Sequence, residues 1–261
     1  MEKQIRKDTD FNYAKKHTNW TNPDYVYLKN VKISEYDIRS AGLSVLKFKK
    51  VLKESELKDL ENMDKHKRTV KEGLLQRSNP KIAETIVETL GDVRKAFAYL
   101  NDILPQNVIS IKKDAMFLVN VTPQTTTIKD IFEFRKKSTY TSYLRIDKKE
   151  FYYSSSTAAL DTKGFSSESI EKQKDFLLKD ISGFLKSSEK LDAASLYRFL
   201  KTYRTKYLNR ELPIETYREL DTGCFRLNGY LLREADEEML EDLDISQNYT
   251  SYILPIINMM L

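Results

Sequence analysis

Two aspartates that are far apart in the chain stand where predicted strands end. Asp37 closes the strand-like run VKISEYDI (31–38), and Asp114 lies at the polar tip between the strand-like runs VISI and AMFLVNV. Carboxylates at neighbouring strand ends can hold two divalent cations about 4 Å apart, an arrangement suited to phosphoryl transfer to a 3′-hydroxyl. Mg²⁺ fits such ligands because it takes hard oxygen donors and keeps several waters. Aspartate is also a common turn residue, so spacing alone leaves a structural role open for both.

The segments around the aspartates predict the elements that would position them. Asn79 and Pro80 mark a helix start as N-cap and first-turn residue. The apolar stripe that follows has helical spacings of three and four: Ile82, Ile86, Leu90, Val93, Phe97 and Leu100. FEFRKKSTYTSYLRI and EFYYSS predict two further strands joined by a turn at 147–149. The first 30 or so residues are predicted to be an extended, partly ordered lead-in.

These elements predict an α+β fold, in which a small antiparallel sheet flanked by helices is followed by a helical C-terminal region. Apolar residues recur at helical spacing after Lys163–Gly164, so we place a domain boundary there, with one domain at 1–165 and a mostly helical region at 166–261. The chain ends in the apolar run YILPIINMML, which we expect to dock on a core or on a protein partner.

Composition argues against several classes of chemistry. The single cysteine, Cys224, allows no internal disulfide and no CxxC metal site, and the two histidines, His17 and His66, are too far apart for a local ligand pair. No run approaches the roughly 20 apolar residues of a membrane span. The start MEKQIRKDTD lacks the apolar core of a signal peptide. We therefore expect a soluble cytoplasmic protein without membrane contact, in the host cytoplasm if a phage encodes it.

Segments in the range 33–165 resemble, in the same order, motifs of the palm of family B DNA polymerases. Residues 36–46 (YDIRSAGLSVL) look like the first palm motif, an Asp followed by Ser-Leu-Tyr-Pro-Ser and aliphatic residues. Residues 108–117 (VISIKKDAMF) look like the third motif, Asp-Thr-Asp-Ser-aliphatic-Phe, with Asp114 on its second aspartate. The run 86–94 (IVETLGDVR) is similar to the helix that precedes that motif in the family.

Two later segments extend the resemblance. Lys136-Lys137-Ser138-Thr139-Tyr140 resembles the Lys-Lys-x-Tyr segment that contacts primer–template, and Lys163-Gly164 resembles the Lys-Gly that leads into the thumb. The resemblance implies a palm-like first domain, a thumb-like C-terminal region, and binding of nucleic acid and nucleoside triphosphates. It also implies two-metal nucleotidyl transfer with Mg²⁺ or Mn²⁺, in which Asp37 and Asp114 are catalytic and hold the metal.

The remaining site residues follow from the same comparison. Nucleic acid would be bound by Lys136, Lys137, Tyr140, Lys163 and Gly164. The fingers motif of the family is not clearly present in this chain. The basic cluster that comes nearest to it lies in KHKRTVKEG, and a solvated helix face is the alternative interpretation of that cluster. The first motif and this basic cluster together give the nucleotide-binding candidates: Ser40, Gly42, Lys65, Lys67, Arg68 and Lys71.

Three departures from the family pattern bear on activity. Only some 30 residues precede the palm-like segment, so no proofreading exonuclease domain is expected. Lys112 stands where the family has its first aspartate of the third motif, and an ammonium there would partly replace a cation or block it. Gly42 stands where the family has the tyrosine that screens out ribose 2′-hydroxyls, so sugar discrimination would be relaxed.

Three functions therefore remain open: a minimal polymerase or terminal nucleotidyltransferase, a catalytically inactive palm-like nucleic-acid-binding protein, and a phage structural or host-interaction protein. Basic residues interleave with four tyrosines in the range 135–153: Tyr140, Tyr143, Tyr152 and Tyr153. Such interleaving fits a groove in which charges follow phosphates and rings stack on bases. It equally fits a sheet that buries its tyrosines on one face and keeps its lysines in water.

Overall fold

The structure is a computed structural model that describes residues 7–146, 148–164, 182–183, 185–186, 193–219 and 222–250. The predicted α+β class is confirmed, since antiparallel strands form the sheet and helices accompany it. The helices are α1 (Asn12–Lys16), α2 (Ala41–Lys49), α3 (Glu54–Asn62), α4 (Lys65–Ser78), α5 (Pro80–Leu100), α6 (Ala193–Leu208) and α7 (Ser246–Asn248). The 3₁₀ helices span Asp8–Phe11, Pro105–Asn107, Ile214–Tyr217 and Glu237–Asp242.

The strands are mostly short, and two long ones stand out. They are β1 (Asn19–Thr21), β2 (Tyr27–Ile38), β3 (Val108–Lys112), β4 (Ala115–Val119), β5 (Thr127–Ile128), β6 (Phe132–Ile146), β7 (Lys149–Ser154), β8 (Ala159–Lys163), β9 (Phe225–Leu227) and β10 (Tyr230–Leu232). None of the helices within the described ranges is long and apolar enough to cross a bilayer.

The chain forms two compact units. The first comprises Met1–Asp24 and Lys32–Thr139, and the second comprises Tyr25–Val31 and Tyr140–Leu261. Strands β2 and β6 contribute residues to both units. Neither unit ends at residue 165; the domain boundary proposed there from the sequence stays a prediction.

The first unit orders its strands β1-β3-β4-β2-β6, with β5 paired to the start of β6. Helix α5 covers this sheet with the predicted stripe, because Ile82, Ile86, Leu90, Val93 and Phe97 are buried in the main core. The prediction is wrong for Leu100, which ends the helix and is exposed. Asn79 caps α5 as predicted: its side chain accepts a hydrogen bond from the Lys81 amide at 3.1 Å.

The predicted extended lead-in is wrong for residues 8–16, which form a 3₁₀ helix and α1, whereas Asn19–Thr21 and the residues from Tyr27 onward lie in the extended strands β1 and β2. Phe11 and Ala14 are fully buried in the core of the first unit. Helix α1 reaches α5 at Gly91, where a Cβ would lie 2.9 Å from the carbonyl oxygen of Lys15. Glycine at this position therefore lets α1 pack closely on α5.

The second unit contains the end of β6, β7 and β8, followed by α6 and the β9–β10 hairpin. One apolar cluster joins Leu144 and Phe151 to Leu185 and Leu200, and another surrounds Tyr207 and Tyr217. On helix α6, Leu200 and Tyr207 of the predicted apolar face are buried, whereas Ala194 and Tyr197, predicted for the same face, are exposed. Most of the stripe predicted from Ile170 to Leu185, and all of YILPIINMML, lie outside the described residues.

Candidate functional site

The structure brings the two predicted aspartates together at neighbouring strand ends. Strand β2 pairs antiparallel with β4, with Asp37 opposite Ala115, and Asp114 is the turn residue directly before β4. The Ile38 amide donates to the carbonyl oxygen of Asp114 at 3.3 Å. Burial raises the pKa of the Asp114 carboxyl, its own backbone amide lowers that pKa, and the charge of Asp37 raises it. The two carboxylates are therefore close enough to repel each other.

A buried arginine holds the turn that carries Asp114. Arg94 of α5 is 1% exposed, and its guanidinium donates from Nε to the Ala14 carbonyl at 3.0 Å and from Nη2 to the His17 carbonyl at 2.9 Å. Its Nη1 donates to the carbonyl of Lys113, which adopts the left-handed backbone conformation (φ 56°). Arg94 thus ties α5, the α1–β1 connection and the β3–β4 turn to one another.

Charged side chains from β2 and β6 pair on one face of the sheet in the first unit. Each step of two residues along β2 is matched by a step of two back along β6, as antiparallel pairing requires. The pairs, which we call the charge ladder, are Arg39–Glu133 at 3.3 Å, Asp37–Arg135 at 2.7 Å and Glu35–Lys137 at 3.1 Å. Both carboxylate oxygens of Asp37 are engaged, since Arg135 Nε meets Oδ1 at 2.7 Å and Nη2 meets Oδ2 at 3.3 Å.

A cavity of about 480 Å³ opens beside the two aspartates. Its wall combines the 37–42 segment, one face of α4 (Lys65, Arg68, Thr69 and Glu72), Asp114 and Arg135. Acidic and basic groups thus surround one polar space. A cavity of this volume lies within the usual range for small-molecule sites.

The predicted nucleotide-binding residues divide into two groups. Ser40, Gly42, Lys65 and Arg68 line the cavity, and Arg68 Nη2 donates to Ser40 Oγ at 3.3 Å. Lys67 and Lys71 lie on the same helix but do not line this cavity; Lys67 is near Asp64 at 3.7 Å, and Lys71 is exposed. The basic cluster therefore contributes two of its four side chains to the cavity and leaves the other two outside it.

Glu72 is a residue of the cavity that sequence reasoning missed. It lies over Gly42, where an added Cβ would be 2.4 Å from Glu72 Oε2. Burial raises the pKa of the Glu72 carboxyl, and nearby Arg68 lowers it; their side chains approach to 3.9 Å. The space that a side chain at position 42 would take is thus occupied by a carboxyl group from α4.

Arg39, Thr69 and Arg135 were also missed. Arg135 and Arg39 had a detectable signal, because charged residues recur at every second position along and just after both predicted strands, in complementary order: Glu35, Asp37 and Arg39 on one, and Glu133, Arg135 and Lys137 on the other. The spacing of four between Arg68 and Glu72 was likewise readable from the sequence. No sequence signal pointed to Thr69.

The expectation that the Lys112 ammonium lies beside the carboxylates is corrected. Lys112 Nζ donates to Thr21 Oγ1 of β1 at 3.1 Å. The lysines whose charge lowers the pKa of Asp114 are Lys113 and Lys137. The position of a lysine in a strand does not determine where its flexible side chain places the ammonium group. Strand β3 lies between β1 and β4, and the Lys112 side chain extends toward β1.

The predicted nucleic-acid-binding residues do not form one surface within either unit. In the first unit Lys136 is exposed, whereas Lys137 is bonded to the buried carboxylate of Glu35. In the second unit Tyr140 is only 2% exposed and its hydroxyl donates to Asp161. All four tyrosines named above are buried, so these rings pack inside the protein, but they do not share one face, because Tyr152 and Tyr153 are successive residues of β7 and point to opposite sides of the sheet.

Lys163 and Gly164 end β8, where Lys163 lies opposite Glu150. Gly164 has φ +86°, and a Cβ there would lie 2.3 Å from the backbone oxygen of Lys148. Glycine at this position is required by the backbone approach. The predicted binding role of both residues stays a prediction.

Asp37 and Asp114 supply part of the oxygen ligands that a hard divalent cation needs. No cluster of three or more His, Cys, Asp or Glu side chains suited to a metal occurs in the described part of the chain, so Asp37 and Asp114 would be joined by water or substrate oxygens. Asp114 is half-buried, and burial and the charge of Asp37 both disfavour its ionised form. A cation between the two carboxylates would remove that repulsion.

Comparison with known proteins gives one result that covers nearly the whole chain. A family model described as "Bacteriophage PBS1 gene 130 protein" matches residues 9–261. No curated protein matches the chain.

Proposed function

The chain belongs to the bacteriophage PBS1 gene 130 protein family, and for this phage protein we propose metal-dependent nucleotidyl transfer at the Asp37–Asp114 site. The observation that carries the proposal is the meeting of these carboxylates, from strand ends 77 residues apart in the chain, in a cavity that also contains basic groups. Paired carboxylates suit Mg²⁺ or Mn²⁺, and basic groups suit phosphates. The proposal also rests on the likeness of this chain to polymerase palm motifs.

The residues of the cavity have separable tasks in this proposal. Asp37 and Asp114 would hold the cation, which when bound would polarise phosphoryl oxygens and favour ionisation of the attacking hydroxyl. Lys65 and Arg68 project from α4 into the same space and would bind the phosphates of a nucleoside triphosphate. Glu72, which lies next to Gly42 in the first turn of α2, would contact the part of the substrate bound at that end of the cavity.

An extension assay tests the activity. Purified protein is incubated with primer–template of DNA or RNA, Mg²⁺ or Mn²⁺, and ribonucleotides or deoxyribonucleotides. We expect extension by the wild type, its loss in Asp37→Asn and Asp114→Asn, and its retention in Asp59→Asn, which changes an exposed aspartate on α3. Absence of product in every combination would reject catalysis.

A second function, nucleic-acid binding without catalysis, is favoured by the engagement of both Asp37 oxygens with Arg135. In that case the basic wall of the cavity would meet backbone phosphates. Lys65 and Lys67 provide a matched pair, because both are exposed on α4 and only Lys65 lines the cavity.

Binding of labelled single- and double-stranded DNA and RNA at several salt concentrations tests this second function. Each lost phosphate contact reduces the slope of log K against log salt by about 0.7–0.9. We expect that reduction for Lys65→Met and not for Lys67→Met. Equal slopes for the wild type and both variants would count against phosphate binding at the cavity.

The third function, an assembly or host-interaction role through YILPIINMML, depends on residues outside the described ranges. It stays a prediction from the sequence.

A further inference from the structure

We propose that Arg135 is an exchangeable counter-ion: it holds the carboxylate of Asp37 in the metal-free protein and transfers to a phosphate group when a divalent cation takes its place. This inference rests on the proposed function, since it assigns a regulated step to the same site. It makes Arg135 a residue that couples the binding of metal to the binding of nucleotide.

A divalent cation and the Arg135 guanidinium need the same two carboxylate oxygens of Asp37. Arg135 meets Oδ1 of Asp37 at 2.7 Å and Oδ2 at 3.3 Å, so neither oxygen is left without a cationic contact. A divalent cation bound to Asp37 must share or displace this fork. Guanidinium forks recognise carboxylates and phosphates with the same planar geometry, so a phosphate is the natural second partner for Arg135.

Arg135 is less enclosed by the protein than Asp37 and Arg94. Its side chain is 48% exposed, while that of Asp37 is 15% exposed, so the carboxylate is held in the wall and the arginine approaches it from the solvent side. Arg94, in contrast, is buried and bonded to three carbonyls. Rotation of Arg135 needs no repacking of the core.

The charge balance of the site couples the two ligands. Without a cation, Arg135 offsets part of the negative charge of Asp37 and Asp114. When a cation does so instead, the released guanidinium no longer has its two contacts with Asp37 and can bind an anion on the cavity wall. Metal and nucleotide therefore favour each other's binding, and linkage makes this coupling reciprocal.

The exchange predicts effects of opposite sign for one substitution. Arg135→Gln removes the competitor for Asp37, so Mn²⁺ alone should bind about two- to fivefold more tightly, in keeping with the modest strength of a half-exposed ion pair. The same variant lacks the arginine that would meet phosphate. A non-hydrolysable deoxynucleoside triphosphate should therefore bind about tenfold more weakly in the presence of saturating Mg²⁺.

Arg39→Gln is the matched control for the metal measurement. Arg39 lines the same cavity and pairs with Glu133 in the charge ladder, so the variant removes the same charge without touching Asp37. Titration of Mn²⁺ followed by electron paramagnetic resonance should show a larger gain for Arg135→Gln than for Arg39→Gln. Equal gains would mean that only general electrostatics is involved and would overturn the exchange.

A second readout uses the wild-type protein and so does not depend on a variant that folds. The Nε–H signal of Arg135 in a ¹⁵N-correlated spectrum, identified by its loss in Arg135→Lys, should shift on addition of Mg²⁺ and shift again on addition of the nucleotide analogue. The opposite outcome is an Arg135 signal that stays fixed on addition of Mg²⁺, although the separate titration shows Mn²⁺ binding that is lost in Asp114→Asn. That result would reject the exchange and leave the metal site intact.

The remaining outcomes separate this inference from the proposed function. If no variant binds Mn²⁺, both the metal site and the exchange are rejected. If Mn²⁺ binds and the Arg135 signal moves, but no primer is extended, the exchange is supported and nucleotidyl transfer is rejected.

Discussion

Replacing Arg94 by methionine is expected to loosen the turn that carries Asp114 and to destabilise the first unit. Methionine keeps an apolar stem of similar length and removes the guanidinium, so the three carbonyls of Ala14, His17 and Lys113 lose their donor. Burial lowers the pKa of Arg94 to about 10, and Asp114 raises it, so the group remains charged at neutral pH. The lost bonds are therefore charge-assisted ones.

The size of the effect follows from these contacts. A buried acceptor left without a donor costs about 1–3 kcal/mol, but only the Ala14 bond is fully buried and water can reach the other two oxygens in part. A hydrogen bond made by a charged donor contributes about 1.5–3 kcal/mol. We expect a loss of ~3–5 kcal/mol for Arg94→Met. For Arg94→Lys, whose ammonium can reach one or two of the carbonyls, we expect ~2 kcal/mol.

Urea unfolding followed by circular dichroism measures the loss, with amide hydrogen exchange of the β3–β4 turn as the local readout. Lys81→Met, an exposed change on the same helix, is the control and should stay within about 0.5 kcal/mol of the wild type. A loss below 1 kcal/mol for Arg94→Met, with unchanged exchange in the turn, would refute the argument that Arg94 holds the turn.

Two further predictions concern packing and charge around the same site. Gly91→Ala should destabilise the protein by about 1–3 kcal/mol in a thermal melt, because the added Cβ would lie 2.9 Å from the Lys15 carbonyl oxygen. Gly73→Ala, in the interior of α4, is the control: its Cβ would meet nothing within 4 Å, so it should stabilise by about 0.5–1 kcal/mol. Equal effects of the two substitutions would contradict this account. Burial raises the pKa of Glu72 in the folded protein, so ionisation opposes folding above that pKa, and Glu72→Gln should be more stable than the wild type at pH 7 by less than ~1 kcal/mol. That advantage should vanish in melts below the ordinary Glu pKa of 4.5, and an advantage that grows in acid would show that burial is not the cause.

The parts of the fold that sequence predicted well are those with a strong local signal. The stripe on α5 and its Asn79–Pro80 start define a helix without reference to any other element. The two runs around Asp114 were readable as strands because apolar residues surround a polar tip. The position of both aspartates at strand ends followed from these local patterns, as did the end of β2 and the start of β4.

The parts that sequence missed depend on contacts between distant segments. Helix α4 buries none of its residues, so its periodicity gave no indication of which face meets the site, and Glu72 was overlooked while Lys67 and Lys71 were included. The lead-in contributes Phe11 and Ala14 to the core from elements too short to show periodicity. From composition alone, the ring of Tyr140 could either stack on nucleic-acid bases or pack inside the protein. Its burial in the folded sheet shows that it packs inside the protein.

The order of charges in the ladder also affects how the strands can pair during folding. In the native register Arg39 lies against Glu133 and Asp37 lies against Arg135. A slip of two residues in one direction would place Arg39 opposite Arg135, and a slip in the other direction would place Asp37 opposite Glu133. Like charges directly opposite destabilise a strand pair, and a slip of one residue would turn the whole set to the other face. The ladder thus disfavours misaligned pairing of β2 with β6, whatever chemistry the mature protein performs.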